Sequence, residues 1–295
     1  MEQNLIDEFL HTLQRKGKDE KTVYSYSLSI NHFSRYLKAH GIHSFFTVTT
    51  DTIHLYYKRN RTYAPATAYW KAHVVYTFYL WLKDEGMILT NPVFKLRFRK
   101  KKNLIRNIPS HTIVRDIYRK HLKKSTTKYD KRDFILLDLA YSCGLRRCEL
   151  VNLNVNDIII DDRTLRIRGK GGKERCVPIG NATMKTLLEY LYNTRPEFID
   201  GHTVQALFVS THKRRMSLYS VNDSFYRLRK KYGIPATITP QSLRCLCATD
   251  LLRNGAPLQD VSEMLGHACL DTTRIYTKLI PQDLKQHHNK YHPRG

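Results

Sequence analysis

Hydrophobic residues in the first hundred positions recur every three or four residues, and no stretch there alternates for long enough to predict a strand. Four helices are therefore predicted, at about 4–14, 19–41, 50–61 and 65–86. The second shows the pattern most clearly, because Asp19 can cap its start and Gly41 can end it. Its predicted buried face carries Val23, Tyr26, Ile30, Phe33 and Leu37.

The rest of the chain mixes two periodicities. Helices are predicted first, at about 110–123, 129–143 and 146–153. Three short alternating runs follow at 158–160, 164–168 and 174–179, joined by turns, and they predict a small antiparallel sheet. Helical spacing then resumes at about 183–192, 219–232, 240–254, 258–265 and 271–276. The fold class is thus mostly α with a small antiparallel β-sheet.

The segment 95–106 contains no acidic residue and follows Asn91-Pro92, which makes it the best candidate for an interdomain linker. We therefore predict a helical domain at 1–92, a basic linker at 93–107 and a mixed domain at 108–295. The linker is predicted to cross phosphates of a nucleic acid through its cations. These cations are Lys95, Arg97, Arg99, Lys100, Lys101, Lys102 and Arg106.

The charge balance supports that prediction, since 50 Lys and Arg face 26 Asp and Glu, a formal net charge of +24. Such a charge fits a nucleic acid, an anionic membrane surface, or nothing beyond solubility. A membrane surface suits a basic amphipathic helix better than this irregular run. At 41% hydrophobic residues, the chain is too apolar for wholesale disorder. Its apolar runs are too short to span a bilayer, and its start is acidic, so a cytoplasmic location is expected.

Six cysteines are present and none forms a CxxC pair. In a cytosolic chain of this size, free and buried thiols are expected, and no metal site is predicted.

The glycine-rich segment 169–173 (GKGGK) looks like a phosphate loop, but it joins two predicted strands and Glu174 follows Lys173. A nucleotide P-loop requires G-x-x-x-x-G-K-S/T between a strand and a helix, so that interpretation is excluded. The alternatives are an ordinary basic turn or a mobile hairpin lysine that faces an oxyanion.

Three other segments draw attention: 144–150 (GLRRCEL), 239–244 (TPQSLR) and 265–276, which contains LGH and ends in a tyrosine. Each has an ordinary explanation when taken alone. A pair such as Arg146 and Glu149 is usually a surface salt bridge, His267 after a glycine is usually a helix cap, and Tyr276 fits a half-buried core.

Taken in order, these segments and the hairpin resemble the tyrosine recombinases, also called phage integrases, and most closely their Xer-type bacterial branch. The resemblance covers nearly the whole chain. It implies a two-domain C-clamp, with a helical (SAM-like) DNA-binding domain followed by an α+β catalytic domain. The matching site positions are Arg146, Lys170, Arg244, His267 and Tyr276.

The resemblance also implies the chemistry of these positions. Tyr276 would attack a DNA phosphodiester and form a 3′-phosphotyrosine, while Arg146 and Arg244 would clamp the phosphate. Lys170 would protonate the leaving 5′ oxygen, and Lys173 would contact DNA. His267 would hydrogen-bond the phosphate, and Glu149 would hold neighbouring side chains. Because the covalent bond conserves energy, neither ATP, a metal nor a cofactor is expected.

The implied partner is double-stranded DNA with inverted half-sites, bound by a homo- or hetero-tetramer that includes a related recombinase. Recombination would pass through a Holliday junction, and the protein would be associated with the nucleoid.

Two positions depart from the family pattern. The family's remaining site histidine falls on Gln241, and Cys245 stands where histidine usually continues. An amide has no proton that titrates near neutrality, so Gln241 cannot act as base or acid, although it can donate a hydrogen bond. A slow enzyme, a partner-dependent enzyme, or a protein that traps DNA would each be compatible. A noncatalytic DNA-binding paralogue and a type IB topoisomerase are the further alternatives.

Overall fold

The computed structural model describes residues 2–93, 110–124, 127–169, 172–267, 270 and 272–274. The chain divides into two compact units, Met1–Leu104 and Ile105–Gly295. In the described part, the architecture is mostly helical with one three-stranded antiparallel sheet, so the predicted fold class is confirmed.

The first unit contains the four predicted helices. They are α1 Glu2–Arg15, α2 Glu20–Ala39, α3 Thr50–Asn60 and α4 Pro65–Asp84. The Asp19 side chain caps α2 by accepting a hydrogen bond from the Thr22 backbone N–H at 2.8 Å.

Aromatic side chains fill the core of this unit. Phe9 and Phe78 meet edge to face with their ring centroids 5.2 Å apart, and Phe33 meets Tyr56 in the same way at 4.8 Å. Such contacts stabilise a core beyond the area that they bury. No helix in the described parts of the chain combines the length and apolar character that crossing a bilayer demands.

Several helices of the second unit pack against one helix, Lys128–Ser142, and the strands of the sheet contact two others. Its helices are α5 His111–Lys124, α6 Lys128–Ser142, α7 Arg147–Asn152, α8 Asn181–Glu189, α9 Pro196–Ile199, α10 Leu218–Tyr232, α11 Pro240–Arg253 and α12 Leu258–Leu265. Its strands are β1 Ile158–Ile159, β2 Thr164–Arg168 and β3 Glu174–Pro178. The sequence did not predict α9, nor the π-helical turn Tyr190–Thr194 that continues α8. Part of the helix predicted at 271–276 lies outside the described residues.

The three strands pair in the order β1-β2-β3. Ile167 stands opposite Arg175 in the register, and Arg166 stands opposite Cys176. Because side chains alternate along a strand, Arg175 lies on the same side of β3 as buried Val177, whereas Cys176 points outward. The Gly169 N–H donates to the Lys173 carbonyl at 2.7 Å and closes the hairpin.

The expectation of buried thiols is wrong for two of the cysteines. Cys148 on α7 and Cys176 on β3 are free and exposed, because each occupies an outward position of its element. Cys143, Cys245 and Cys247 are buried, as expected.

Candidate active site

An arginine at the start of a short helix forms one wall of the candidate site. Arg146 directly precedes α7, and the Glu149 carboxylate accepts hydrogen bonds from its backbone N–H at 2.8 Å and from its Nη1 at 2.9 Å. Arg146 Nη2 donates to the Gly266 carbonyl at 3.2 Å. Glu149 is only 3% exposed, against 35% for Arg146, so the pair is not a surface salt bridge. The guanidinium is held from one side and stays accessible from the other.

Arg175 supplies a second cation to the same carboxylate. Its Nη1 and Nη2 atoms each lie 2.9 Å from a different oxygen of Glu149, which is the bidentate arrangement. Its Nε donates to the Met264 carbonyl at 2.8 Å. Arg175 therefore joins strand β3 to α7 and to the end of α12.

Glu149 is ionised in this environment. Burial by itself raises the pKa of its carboxyl group, but hydrogen bonds from Arg175 and Arg146 outweigh burial and hold that pKa below its ordinary value. A buried carboxylate with such partners keeps its negative charge at neutral pH.

Arg244 lies deepest in the cluster, on the first turns of α11, with its side chain 1% exposed. Its Nη1 donates to the Gly144 carbonyl at 2.6 Å, and its Nη2 donates to the Leu265 carbonyl at 2.5 Å. Nη1 also lies 3.8 Å from a Glu149 oxygen. Backbone carbonyls from two separate segments thus fix the plane of this guanidinium.

Two glycines make room for these arginines. Gly144 has φ +60°, and a Cβ atom there would lie 2.7 Å from Leu265 Cδ2. Gly266 has φ +63°, and a Cβ atom there would lie 3.1 Å from the Arg175 guanidinium. Both the backbone conformation and the close approach therefore require glycine at these positions.

His267 follows Gly266 and contacts Arg244. Its Nε2 lies 3.1 Å from Arg244 Nη2, and its Nδ1 lies 2.8 Å from Thr273 Oγ1. Burial, and then the positive charges of Arg244, Arg146 and Arg175, lower the pKa of His267 to about 4. The imidazole is therefore neutral at pH 7.

The cluster carries an excess of positive charge, because three guanidinium groups surround a single ionised carboxylate. Guanidinium groups bind phosphate through paired N–H donors. This arrangement can attract an anionic group and stabilise negative charge that grows on its oxygens.

The structure brings four of the predicted residues together: Arg146, Glu149, Arg244 and His267. Gln241 lies one turn before Arg244 on α11 with an exposed side chain, and Lys173 is exposed beside β3.

The other predicted site residues lie outside the described residues. They are Lys170, Tyr276, Lys95, Arg97, Arg99, Lys100, Lys101, Lys102 and Arg106.

The sequence analysis missed Arg175 and Thr273. Strand alternation offered a signal for Arg175, since it shares a face with Val177 and a charged residue on an inward face needs a partner. Nothing in the sequence pattern distinguishes Thr273 from its exposed neighbour Thr272. Over the residues that the structure covers, no group of three or more His, Cys, Asp or Glu side chains is placed to hold a metal ion.

The phage integrase family matches residues 112–282 of the chain. The chain is similar to the tyrosine recombinase XerD of Oceanobacillus iheyensis, at 33% identity over 98% of each chain. It is also similar to the tyrosine recombinase XerD of Lacticaseibacillus casei, at 33% identity over 99% of each chain.

Two solved structures share the fold. A λ integrase dimer bound to a COC′ core site has a TM-score of 0.74 at 21% identity, and covers 93% of this chain and 94% of that one. The XerH recombinase bound to a palindromic difH substrate has a TM-score of 0.73 at 19% identity, and covers 91% of this chain and 79% of that one. With the full-length relatives and the family match, they lead to one conclusion. The chain belongs to the phage integrase family, as a Xer-type tyrosine recombinase.

Proposed function

We propose that this recombinase cuts and rejoins double-stranded DNA at specific sites, with Tyr276 as the nucleophile. The observation that carries the proposal is the clustering of Arg146, Arg244 and His267 around one buried carboxylate. These residues come from three separate segments of the chain, and their order along the sequence is that of the family.

Arg146 and Arg244 are the proposed phosphate clamp. Their N–H groups would bind the nonbridging oxygens of a phosphodiester and stabilise the charge that grows as phosphorus becomes five-coordinate. Arg244 suits this role because its plane is already fixed by the carbonyls of Gly144 and Leu265, so little reorganisation is needed.

Tyr276 would attack the phosphorus through its hydroxyl oxygen. The bond between phosphorus and the 5′ oxygen breaks, and the products are a 3′-phosphotyrosine and a free 5′ hydroxyl. Lys170 would protonate the leaving oxygen. A second 5′ hydroxyl then reverses the step on a new strand, so neither ATP, a metal nor a cofactor is consumed.

Gln241 takes the position of the family's remaining histidine, where it could donate a hydrogen bond to phosphate but could not transfer a proton. General acid or base catalysis contributes about 10²- to 10⁴-fold, so we propose a slow but competent enzyme. Replacement of Gln241 by histidine is then expected to keep or raise the cleavage rate.

The proposed assembly is a tetramer on two duplexes with inverted half-sites, formed by this chain alone or with a related recombinase. A structural relative, λ integrase, was solved as a tetramer bound to a Holliday junction. The net charge of +24 supports binding to DNA, and the cations of 93–107 are proposed to contact its phosphates together with Lys173.

Covalent capture tests the proposal and identifies the target site in the same experiment. Wild-type protein is incubated with sheared genomic DNA of its host, SDS is added, and DNA that stays attached to protein is sequenced. Tyr276→Phe should abolish the adducts, whereas Tyr192→Phe should not, because Tyr192 is an exposed tyrosine of the π-helical turn after α8.

The same assay separates the alternatives. If wild type and Tyr276→Phe form the same background amount of protein–DNA adduct, the proposed cleavage activity is contradicted. Sequence-specific binding without adduct, even beside a related recombinase, indicates a DNA-binding protein. Relaxation of a plasmid that lacks the captured site indicates a topoisomerase.

A further inference from the structure

Both ring nitrogens of His267 have a partner. Arg244 Nη2 lies 3.1 Å from Nε2, and Thr273 Oγ1 lies 2.8 Å from Nδ1. The two partners differ in what they can offer. A guanidinium has five N–H donors and no acceptor, whereas a hydroxyl can both donate and accept.

This difference determines where the proton of the neutral ring resides. Because Arg244 can only donate, Nε2 must present its lone pair. A neutral imidazole that accepts at Nε2 carries its proton on Nδ1, and that N–H then donates to Thr273 Oγ1. The opposite tautomer would place two N–H donors against each other at 3.1 Å.

The surroundings favour the neutral ring. Burial disfavours a proton on His267 most strongly, and the guanidinium groups of Arg244, Arg146 and Arg175 act in the same direction. Glu149 opposes them and favours a proton. A second proton would also have to occupy Nε2, opposite an Arg244 N–H.

Thr273 is itself held firmly. Its side chain is fully buried, and its backbone N–H donates to the Leu270 carbonyl at 2.9 Å. A buried β-branched side chain has few alternative rotamers, so the hydroxyl stays at Nδ1. Along the sequence, Thr273 lies three residues before Tyr276.

We propose that Thr273 is a positioning residue, which selects the Nδ1–H tautomer of His267 and so keeps Nε2 as the acceptor that orients Arg244. In the protein without DNA, His267 thus contributes to the site by orienting Arg244. The tautomer stands on the geometry alone, and only its effect on cleavage rests on the proposed function.

The first experiment determines the tautomer directly. Protein labelled with ¹⁵N-histidine is studied by long-range ¹H–¹⁵N correlation at pH 7.5, where the two tautomers give different cross-peak patterns. The chain has 14 histidines, so a His267→Asn sample identifies the signals of His267. We expect protonated Nδ1 and unprotonated Nε2 in wild type, and loss of that preference in Thr273→Val, which keeps the shape but removes the hydroxyl.

The second experiment measures single-turnover cleavage of a captured DNA site at saturating protein. Thr273→Val should lower the rate about 10- to 100-fold, which is the usual cost of losing the group that orients a functional histidine. Thr273→Ser should restore it to within about threefold, since the hydroxyl returns. The apparent Kd for DNA should stay unchanged, because the Thr273 side chain is fully buried.

Thr249→Val is the matched control. Thr249 is a buried threonine of α11, whose hydroxyl donates to the Cys245 carbonyl at 2.9 Å. Its replacement imposes a similar change on the core without touching His267, so cleavage should stay near the wild-type rate.

Two results would overturn the inference: protonated Nε2 in wild type, or a Thr273→Val variant with unchanged tautomer and unchanged cleavage. If wild type formed no DNA adduct at all, the proposed function would fail, while the NMR measurement would still decide the tautomer.

Discussion

The two units of the chain differ in what they bury. Among the described residues of the first unit, the polar side chains that are buried are all uncharged. They are Thr12, Ser29, Ser34 and Asn60. In the described part of the second unit, seven charged side chains are buried. These are Arg132, Asp133, Asp138, Glu149, Asp157, Arg195 and Arg244.

This contrast has an energetic meaning. Apolar and aromatic burial stabilises the first unit with little demand for exact partners. Each buried charge in the second unit costs desolvation energy, which only well-placed partners can offset. Glu149 and Arg244 meet that requirement at the candidate site, whereas Arg132 and Asp133 pair away from it. A charged core is therefore necessary for the site but does not by itself identify it.

The largest expected effect comes from removing Arg175. In Arg175→Met, the Glu149 carboxylate loses its bidentate partner while it stays buried. Breaking a buried pair from one side costs about 3–5 kcal/mol of unfolding free energy, and this loss should fall on the second unit. Amide hydrogen exchange of β3 and α11 measures it there. Fluorescence reports the first unit, since both tryptophans, Trp70 and Trp81, lie in that part of the chain.

Arg119→Met is the matched control. Arg119 pairs with Asp116 at 3.2 Å on the surface of α5, with side chains 67% and 49% exposed. Its loss should cost less than about 1 kcal/mol. Equal effects of the two substitutions would show that a buried charged pair stabilises the second unit no more than an exposed one does.

The same contrast explains what the sequence could predict. The helices of the first unit follow from periodic apolar residues, because their burial depends on local spacing alone. For example, Ile30 and Phe33 are fully buried on α2, as the pattern predicts. The alternating runs also predicted β2 with its observed bounds, and its register with β3 places Ile167 inside.

The candidate site was less accessible to sequence reasoning. The segments around Arg146 and Arg244 were found through their resemblance to a family, and periodicity played no part in it. Arg175 was missed because its partner, Glu149, lies 26 residues away in the sequence. Thr273 was missed because no sequence pattern pairs a threonine hydroxyl with the imidazole of His267. Contacts of this kind depend on how separate elements pack, which a local pattern does not encode.

The second prediction tests whether cleavage requires the planar guanidinium group of Arg244 or only its positive charge. Arg244→Lys keeps one positive charge but cannot donate at once to the carbonyls of Gly144 and Leu265 and to a phosphate. Loss of one such oriented donor lowers kcat by about 10²- to 10³-fold, or about 3–4 kcal/mol. Single-turnover cleavage of a captured site at saturating protein measures this loss.

Arg253→Lys on the same helix is the control, because Arg253 is 47% exposed and its nearest acidic partner, Asp250, is 3.9 Å away. Its cleavage rate should match that of wild type. If Arg244→Lys also retained the wild-type rate, charge alone would suffice, and the fixed guanidinium plane would have no catalytic role.

The smallest expected effect is a pH dependence of stability that arises from His267. The unfolded chain protonates this histidine near its ordinary value of 6.5, whereas the folded chain does so only near the lowered pKa of about 4. Between these values the unfolded state binds more protons, so the contribution of His267 to stability falls as the pH falls from 6.5 to 4 and is unchanged above that window. His267→Gln removes this titration but keeps an acceptor for Arg244 and a donor for Thr273. After allowance for solvent screening, the wild type should lose about 1–2 kcal/mol more unfolding free energy than the variant over that interval. Urea unfolding at a series of pH values measures the difference. Parallel curves for the two proteins would mean that neither burial nor the arginines around His267 suppress its protonation, and the pH dependence of stability would then give no sign of the positive charge in this cluster.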